Sequence, residues 1–167
     1  MKDTAYFAGG CFWCITPTFD LTDGVLRVTS GYSGGTEAEP AYEDVKQQRT
    51  GHRETIRVDY DPERVSYAQL LDIFLGGVDP FDPGGQFIDR GHSYTLAIYF
   101  LDESQRQAAQ TALDGLEAQA EKRPCIALEP FRSFWEAEEY HQDYYKKNPE
   151  AFRKELIESG RLWGTSE

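Results

Sequence analysis

Methionine and cysteine are scarce in this chain: one methionine and three cysteines in 167 residues. Three cysteines cannot staple a secreted mini-domain, because such scaffolds pair a larger, even set. Basic residues are also in short supply. Seventeen Lys and Arg stand against twenty-nine Asp and Glu, a formal net charge of -12. Binding nucleic acid needs a basic footprint that displaces counterions from phosphates, and anionic membrane surfaces repel an acidic protein, so neither partner is expected. No apolar run approaches the ~20 residues of a membrane span. The opening MKDTAYFAGGCF has a short apolar stretch and Asp3, which does not read as a secretory leader. Repeats, low-complexity tracts and linkers are missing too. These absences predict a cytoplasmic protein with one domain spanning residues 1–167.

What is present supports a packed core. Hydrophobic residues make up 40% and aromatics 14% of the chain, too much apolar surface for a disordered one. The patterning alternates between strand and helix. Strands are expected at 3–8, 24–31, 53–60, 94–101 and 125–130. Helices are expected at 11–20, at 42–48, from Tyr67, at 103–122, at 136–147, and from Pro149 to Ser159-Gly160. Ser66-Tyr67-Ala68-Gln69 has the form of a capping box, and Leu70, Leu71, Phe74 and Leu75 follow at helical spacing. Ala109, Leu113, Leu116 and Ala120 form one stripe of the long helix. Turn residues cluster at Gly76-Gly77, Asp79-Pro80 and Asp82-Pro83-Gly84-Gly85, which predicts a long ordered loop over 76–93. The class these elements imply is a two-layer α/β (α+β) sandwich of a mixed sheet with helices.

Cys11 and Cys14 form a C-x-x-C pair inside Gly9-Gly10-Cys11-Phe12-Trp13-Cys14, between a strand and a helix. In a reducing compartment such a pair is catalytic redox or metal-binding. Structural zinc needs four ligands. Beyond Cys125, His52, His92 and His141 no second pair of soft ligands exists, so redox is favoured over zinc. A helix N-terminus carries partial positive charge and free N–H groups, which favour a thiolate at Cys11. Residues three apart on a helix share a face, so Cys14 stands close to Cys11. The spacing alone leaves a reductase, a thioredoxin-like dithiol oxidoreductase and a zinc-dependent binding module open.

The segment Gly10-Cys11-Phe12-Trp13-Cys14 resembles the signature of the A-type peptide methionine sulfoxide reductases. The likeness continues, in the family's order, through Ser30-Gly31-Tyr32-Ser33-Gly34-Gly35, Thr50-Gly51-His52-Arg53-Glu54, Gly85-Gln86-Phe87-Ile88-Asp89-Arg90-Gly91 and Ala137-Glu138-Glu139-Tyr140-His141-Gln142-Asp143-Tyr144-Tyr145. The resemblance implies a ferredoxin-like core and thiol-dependent reduction of the S epimer of methionine sulfoxide, with no cofactor and no metal. It makes Cys11 the nucleophile and Glu54 the acid. Tyr42 and Tyr94 become donors to the sulfoxide oxygen, Phe12 and Trp13 the seat for the substrate methyl, and Asp89 a contact for the substrate backbone. Relatives with C-F-W-C suggest Cys14 as resolving thiol, and the family points to thioredoxin or an equivalent dithiol as reductant. Its substrates are oxidised proteins or peptides, and a monomer is expected. Cys125, in an apolar strand-like run, is expected to be buried and inert. His52 and His141 are expected to be structural hydrogen-bonders. Two departures bear on peptide context: Glu39-Pro40 replaces the common Asn-Pro, and His92-Ser93-Tyr94-Thr95 replaces a Gln-Tyr-Arg run.

Overall fold

The computed structural model describes residues 1–158. The chain runs β1 (Asp3–Gly9), α1 (Phe12–Asp20), β2 (Val25–Ser33), α2 (Tyr42–Lys46), β3 (Arg53–Tyr60) and α3 (Tyr67–Gly76). It continues through β4 (Gly85–Gln86), β5 (Asp89–Arg90), β6 (Leu96–Phe100), α4 (Glu103–Ala120), β7 (Ile126–Pro130), β8 (Phe134–Glu136), α5 (Tyr144–Lys147) and α6 (Pro149–Glu158). One six-stranded sheet has the order β7-β6-β1-β3-β2-β8, and β4-β5 form a separate small hairpin. Within the sheet, β6-β1-β3-β2 are antiparallel neighbours and β7 joins β6 in parallel. With α1 and α3 as the connections, those four strands have the β-α-β-β-α-β order of a ferredoxin-like core.

The main core lies between the sheet and α1, α3 and α4. Phe7, Ile56, Val58 and Ile98 from the strands meet Phe12, Ile15, Phe19, Leu70, Leu71, Phe74 and Leu113 from the helices. Phe7 stacks between Phe19 at 5.5 Å and Phe74 at 5.0 Å. Fully burying a side chain of this size contributes about 1.5–3 kcal/mol. Residues of opposite parity in the strands face the other way. Tyr6, Ala8, Ala97 and Tyr99 form a second small core capped by Phe131 and Phe134. This explains why β3 is buried along nearly all its length. Its alternation of Thr55, Arg57 and Asp59 with Ile56, Val58 and Tyr60 separates two covered faces, not a wet face from a dry one.

The capping box at α3 forms as expected: Gln69 N–H donates to Ser66 Oγ at 3.1 Å and Ser66 N–H to Gln69 Oε1 at 2.8 Å. The long loop is ordered around buried Gln86. Its amide donates to the Asp79 carbonyl and accepts from the Asp79 N–H, both at 2.8 Å. Arg90 clamps Asp82 with two bonds of 2.6 and 2.7 Å.

Several expectations need correction. The expected helix over 136–147 is instead the end of β8, a 3-10 turn at Glu139–His141 and the single turn of α5. Tyr94 closes a 3-10 turn at His92–Tyr94, and the strand begins only at Leu96. Of the apolar stripe on α4, Ala109 and Leu113 are buried, Leu116 is half-buried and Ala120 is exposed. Cys125 is half-buried, just before β7 at the sheet edge, not enclosed in the core. The expected end of the last helix, at Ser159-Gly160, lies outside the described residues.

Candidate active site

Cys11 stands where β1 turns into α1. Gly10, at a φ of +85°, makes the turn, and Cys11 is the N-cap residue with extended backbone. Glu54 lies on β3, two residues beyond the Phe7–Ile56 pair and therefore opposite the end of β1. The Phe12 N–H, at the helix start, donates to Glu54 Oε1 at 3.1 Å. Glu54 is 1% exposed, which excludes a solvated surface carboxylate. Its Oε2 is buried with no hydrogen-bond partner among the described residues.

Aromatic rings wall the site. Phe12 lies 6.4 Å from Tyr42 and 5.1 Å from His141. The Trp13 indole stacks on Tyr144 at 4.0 Å and lies 6.3 Å from Tyr42, while its Nε1–H donates to His141 Nδ1 at 3.1 Å. His141 packs on Tyr42 at 4.2 Å. The two tyrosine-bearing turns are held from behind. Glu138 accepts from the Tyr42 N–H at 2.9 Å and from the Tyr32 hydroxyl at 2.8 Å. Gln48, in the turn just after α2, donates to Ser93 Oγ at 2.8 Å and accepts from the Ser93 N–H at 3.0 Å. Tyr94 is thereby tied to the element that carries Tyr42. Gln142 grips β2, accepting from the Ser30 N–H and donating to the Ser30 carbonyl, both at 2.9 Å.

The electrostatics favour neutral groups. Burial, reinforced by Asp89, Cys14 and Glu155, pushes the Glu54 carboxyl well above its ordinary range, although the Phe12 N–H pulls the other way. The Cys11 thiol is also pushed well up: it shares a hydrogen bond with the Cys14 thiol, it is buried, and Cys14, Glu54 and Asp89 add to the rise. A thiolate favoured by the helix end was expected, and the resting site does not provide one. The N–H that opens the helix is committed to Glu54 instead. Burial first, then Glu54, drives both Tyr42 and Tyr94 far above the ordinary phenol value, so both stay hydrogen-bond donors. Burial lowers His141 to about 4, against the pull of Glu138, and keeps it neutral.

The structure thus brings Cys11, Phe12, Trp13, Cys14, Tyr42, Glu54 and Tyr94 together, and the Asp89 carboxylate acts on Cys11, Glu54 and Tyr94. His52 is structural: its ring bonds the Gly35 N–H at 3.2 Å and the Glu37 carbonyl at 2.7 Å. His92 is exposed and its ring bonds the Gly51 carbonyl at 3.0 Å. Sequence reasoning missed Gln48, Glu138, Gln142 and Tyr144 as supports. The last three lie in the Ala137–Tyr145 segment, whose hydrogen-bonding density was the available signal. Cys125 lies at the same end of the sheet as Cys11, since Leu96 pairs with both Gly9 and Ile126. Two strand spacings, ~10 Å, separate β7 from β1, more than the ~4.4–6.8 Å between the Cα atoms of a disulfide. Among the described residues, no group of three or more His, Cys, Asp or Glu is placed to hold a metal ion. No helix there is long and apolar enough to cross a membrane.

Comparison with known proteins agrees with this geometry. The family model described as peptide methionine sulfoxide reductase matches residues 3–163. Peptide methionine sulfoxide reductase MsrA of Ligilactobacillus salivarius is 47% identical over 156 residues, covering 92% of this chain and 91% of that protein. The structure is similar to reduced Mxr1 from Saccharomyces cerevisiae, with a TM-score of 0.84, 25% identity and coverage of 89% of this chain and 87% of that one. Mxr1 is also solved in complex with Trx2. Methionine sulfoxide reductase A of Corynebacterium diphtheriae gives a TM-score of 0.79 at 30% identity, over 89% of this chain and 76% of that one. A thiol beside a buried acid in an aromatic pocket, on this fold and in this sequence context, places the chain in the MsrA family of peptide methionine sulfoxide reductases.

Proposed function

We propose that this protein reduces the S epimer of methionine sulfoxide in oxidised proteins and peptides, with Cys11 as nucleophile and Glu54 as acid. The observation that carries the reading is the buried Glu54 carboxyl beside Cys11, with one oxygen bonded to Phe12 N–H and the other unpartnered. A neutral carboxyl there is a donor without an acceptor, and a sulfoxide oxygen is an acceptor. Tyr42 and Tyr94 add two further donors toward the charge that develops on that oxygen. Phe12 and Trp13 seat the methyl group, because aromatic faces attract the partly positive sulfur and its methyl. Asp89 accepts from the substrate backbone.

Cys11 sulfur attacks the sulfoxide sulfur and loses its proton as Glu54 gives its own to the oxygen. The attack joins the two sulfurs, and the protonated oxygen takes up the proton Cys11 lost and leaves as water. A water then bonds to the Cys11 sulfur and returns a proton to Glu54. The sulfur–sulfur bond breaks with its electron pair going to methionine, which leaves Cys11 as a sulfenic acid, the reversible rung of cysteine oxidation. Cys14 attacks that sulfur and releases water, forming a Cys11–Cys14 disulfide. Thioredoxin or an equivalent dithiol returns both cysteines to thiols, a reading that the Mxr1–Trx2 complex supports. The cycle requires no metal and no organic cofactor. Free thiols and dithiol recycling fit a reducing compartment, so we place the protein in the cytoplasm, as a monomer.

The test is turnover of both epimers of a methionine sulfoxide peptide with dithiothreitol. The wild type is expected to consume the S epimer alone, and Cys11→Ser to consume neither. Appreciable turnover by Cys11→Ser overturns the assignment of the nucleophile.

A further inference from the structure

Tyr42 and Tyr94 are held in different ways. The Tyr42 ring lies against Phe12, Trp13 and His141, so packing fixes it. Tyr94 has no such ring neighbour among the described residues, and its aim rests on the backbone that carries it, the 3-10 turn His92–Tyr94 followed by Thr95. The residue on each side of Tyr94 bears a hydroxyl, where the Gln-Tyr-Arg run of the family bears an amide and a guanidinium. Both hydroxyls are engaged. Ser93 is 1% exposed, and its Oγ and N–H both meet the Gln48 amide. Gln48 reaches it from a left-handed backbone, at a φ of +62°, and its amide fills the space beside Gly91, where an added Cβ would come within 2.7 Å of it. The Thr95 hydroxyl accepts from Arg53 Nε–H at 2.8 Å and donates to the His92 carbonyl at 2.6 Å. Arg53 is itself buried, with Nη1 donating to the Tyr99 hydroxyl at 3.1 Å and to Glu129 Oε2 at 3.3 Å. We propose that Ser93 and Thr95 are positioning residues for the sulfoxide reaction: their hydroxyls, anchored by Gln48 and Arg53, set the Tyr94 phenol against the Glu54 carboxyl so that both donors converge on the sulfoxide oxygen. The proposal rests on Tyr94 and Glu54 being donors in the proposed reaction.

The connectivity shows why these bonds matter. Arg53 precedes Glu54 in β3, and Thr95 follows Tyr94. Strand β1 lies between β3 and β6. The pairing of β1 with β3 runs to Phe7–Ile56, and that with β6 to Gly9–Leu96. Arg53 and Thr95 therefore lie beyond the ladder on either side of β1, at the end of the strand that leads to Cys11. The Arg53–Thr95 bond ties the two backbones together there. Its donor is charged, which makes it stronger than a neutral bond. A hydroxyl accepts and donates at one atom, and the Thr95 hydroxyl does both, closing the turn onto the His92 carbonyl while holding Arg53. Successive side chains of a strand point to opposite faces, so Arg53 points away from the pocket that Glu54 faces. The anchors thus act through Tyr94 and Glu54 without touching substrate. Where orientation sets the rate, a displacement of ~1 Å costs up to about 10²-fold.

Tyr42 donates to the same oxygen and would mask a displaced Tyr94, so the measurement is made in Tyr42→Phe enzyme, on single-turnover reduction of a methionine sulfoxide peptide. Thr95→Val keeps the shape of the side chain and removes both of its bonds. It is expected to lower that rate about tenfold, with the peptide KM in dithiothreitol-driven turnover unchanged. Thr95→Ser keeps the hydroxyl and is expected to restore the rate to within about twofold. With Tyr94→Phe also present, Thr95→Val is expected to have no further effect, because the phenol that it aims is gone. Ser93→Ala is a smaller change and is expected to lower the rate about threefold, with the same dependence on Tyr94; it carries the comparison if Thr95→Val does not fold. An equal loss with and without the Tyr94 hydroxyl marks a merely structural role and overturns the proposal. So does an unchanged rate in the Tyr42→Phe background, or a loss confined to KM. The reading beneath is tested separately. Tyr42→Phe/Tyr94→Phe enzyme that keeps the rate of Tyr42→Phe overturns Tyr94 as a donor, whereas a rate that needs Tyr94 but ignores both hydroxyls overturns the positioning alone.

Discussion

A carboxyl buried as deeply as that of Glu54 opposes folding whenever it must ionise. Its folded pKa lies above the unfolded value, so the folded state holds the proton more tightly than the unfolded chain does. Stability is therefore withdrawn as pH rises from the ordinary carboxylate range through the folded pKa. Glu54→Gln keeps the shape, retains a donor for Oε2 and removes the ionisation. It is expected to melt at a higher temperature than wild type at pH 7–8, with the difference vanishing below about pH 4, where both states are protonated. With Glu54 as the proposed acid, the same variant lacks the proton for the oxygen, so single-turnover sulfoxide reduction is expected to fall by about 10²–10⁴-fold. Wild-type turnover is expected to decline on the alkaline side as Glu54 loses its proton. Calorimetry across pH and rapid-quench assays of the two proteins check these expectations. A Glu54→Gln variant with the wild-type rate returns Glu54 to a structural role. The combination of lower activity with higher stability marks a group retained for chemistry at a cost to the fold.

Single elements show how tertiary contacts overrule local preference. Residues 136–147 read as a helix because Ala, Glu, Gln, Tyr and Lys dominate them. Glu138 and Gln142 instead direct their side chains to the backbone of Tyr42 and Ser30, and Asp143 takes a φ of +53°. A continuous helix could not meet both demands. The α1 helix carries a related compromise. Pro17 has no N–H to offer the Trp13 carbonyl, and the Thr16 hydroxyl donates to the Phe12 carbonyl at 2.6 Å. The turn that holds both cysteines is therefore more weakly tied to the rest of α1 than a regular helix would allow. By contrast, α3 obeys its local signals, and its cap is remote from the chemistry. Ser66→Ala is expected to cost about 1 kcal/mol of stability and to leave kcat for sulfoxide reduction unchanged. Urea unfolding together with a dithiothreitol-driven assay measures both, and an unaltered midpoint contradicts the energetic role of the capping box.

For the molecule as a whole, the sheet order assembles the site. Placing β3 beside β1 sets Glu54 under the turn that presents Cys11, and adding β8 to β2 brings the Ala137–Tyr145 segment against Trp13 and Tyr42. The approach of β8 depends on Gly31, where any Cβ would collide with the Phe134 ring and the Trp135 carbonyl oxygen. The net charge of -12 acts at this scale too. It surrounds a site built around Cys11 and Glu54, both pushed up by burial and their neighbours, and it attracts cationic substrates. Methionine sulfoxide peptides flanked by lysine are expected to show a higher kcat/KM than those flanked by glutamate at low ionic strength. The gap is expected to close toward ~1 M salt, where the screening length is ~3 Å. Equal values at low salt would show that the charge on the surface does not reach the pocket mouth.

The sequence by itself determined the chemistry on offer: C-F-W-C behind two glycines, Glu54 in its Gly51-His52-Arg53 context, and the acidic composition. It also determined the elements whose cues are local, since the spacing of apolar residues and the Ser66 cap act within one turn of chain. Only the tertiary structure decided the protonation of the site, because burial and neighbours contributed by other strands set it. Cys11 rests as a thiol with a raised pKa, and not as the thiolate that its place at a helix end suggested. The tertiary structure also decided the fate of Cys125, half-buried at the sheet edge, and of residues 136–147, whose side chains serve β2 and α2 in preference to a helix of their own. These outcomes depend on partners far apart in the chain, and a hydrogen bond or a desolvation that joins residues some hundred positions apart leaves no period in the sequence to read.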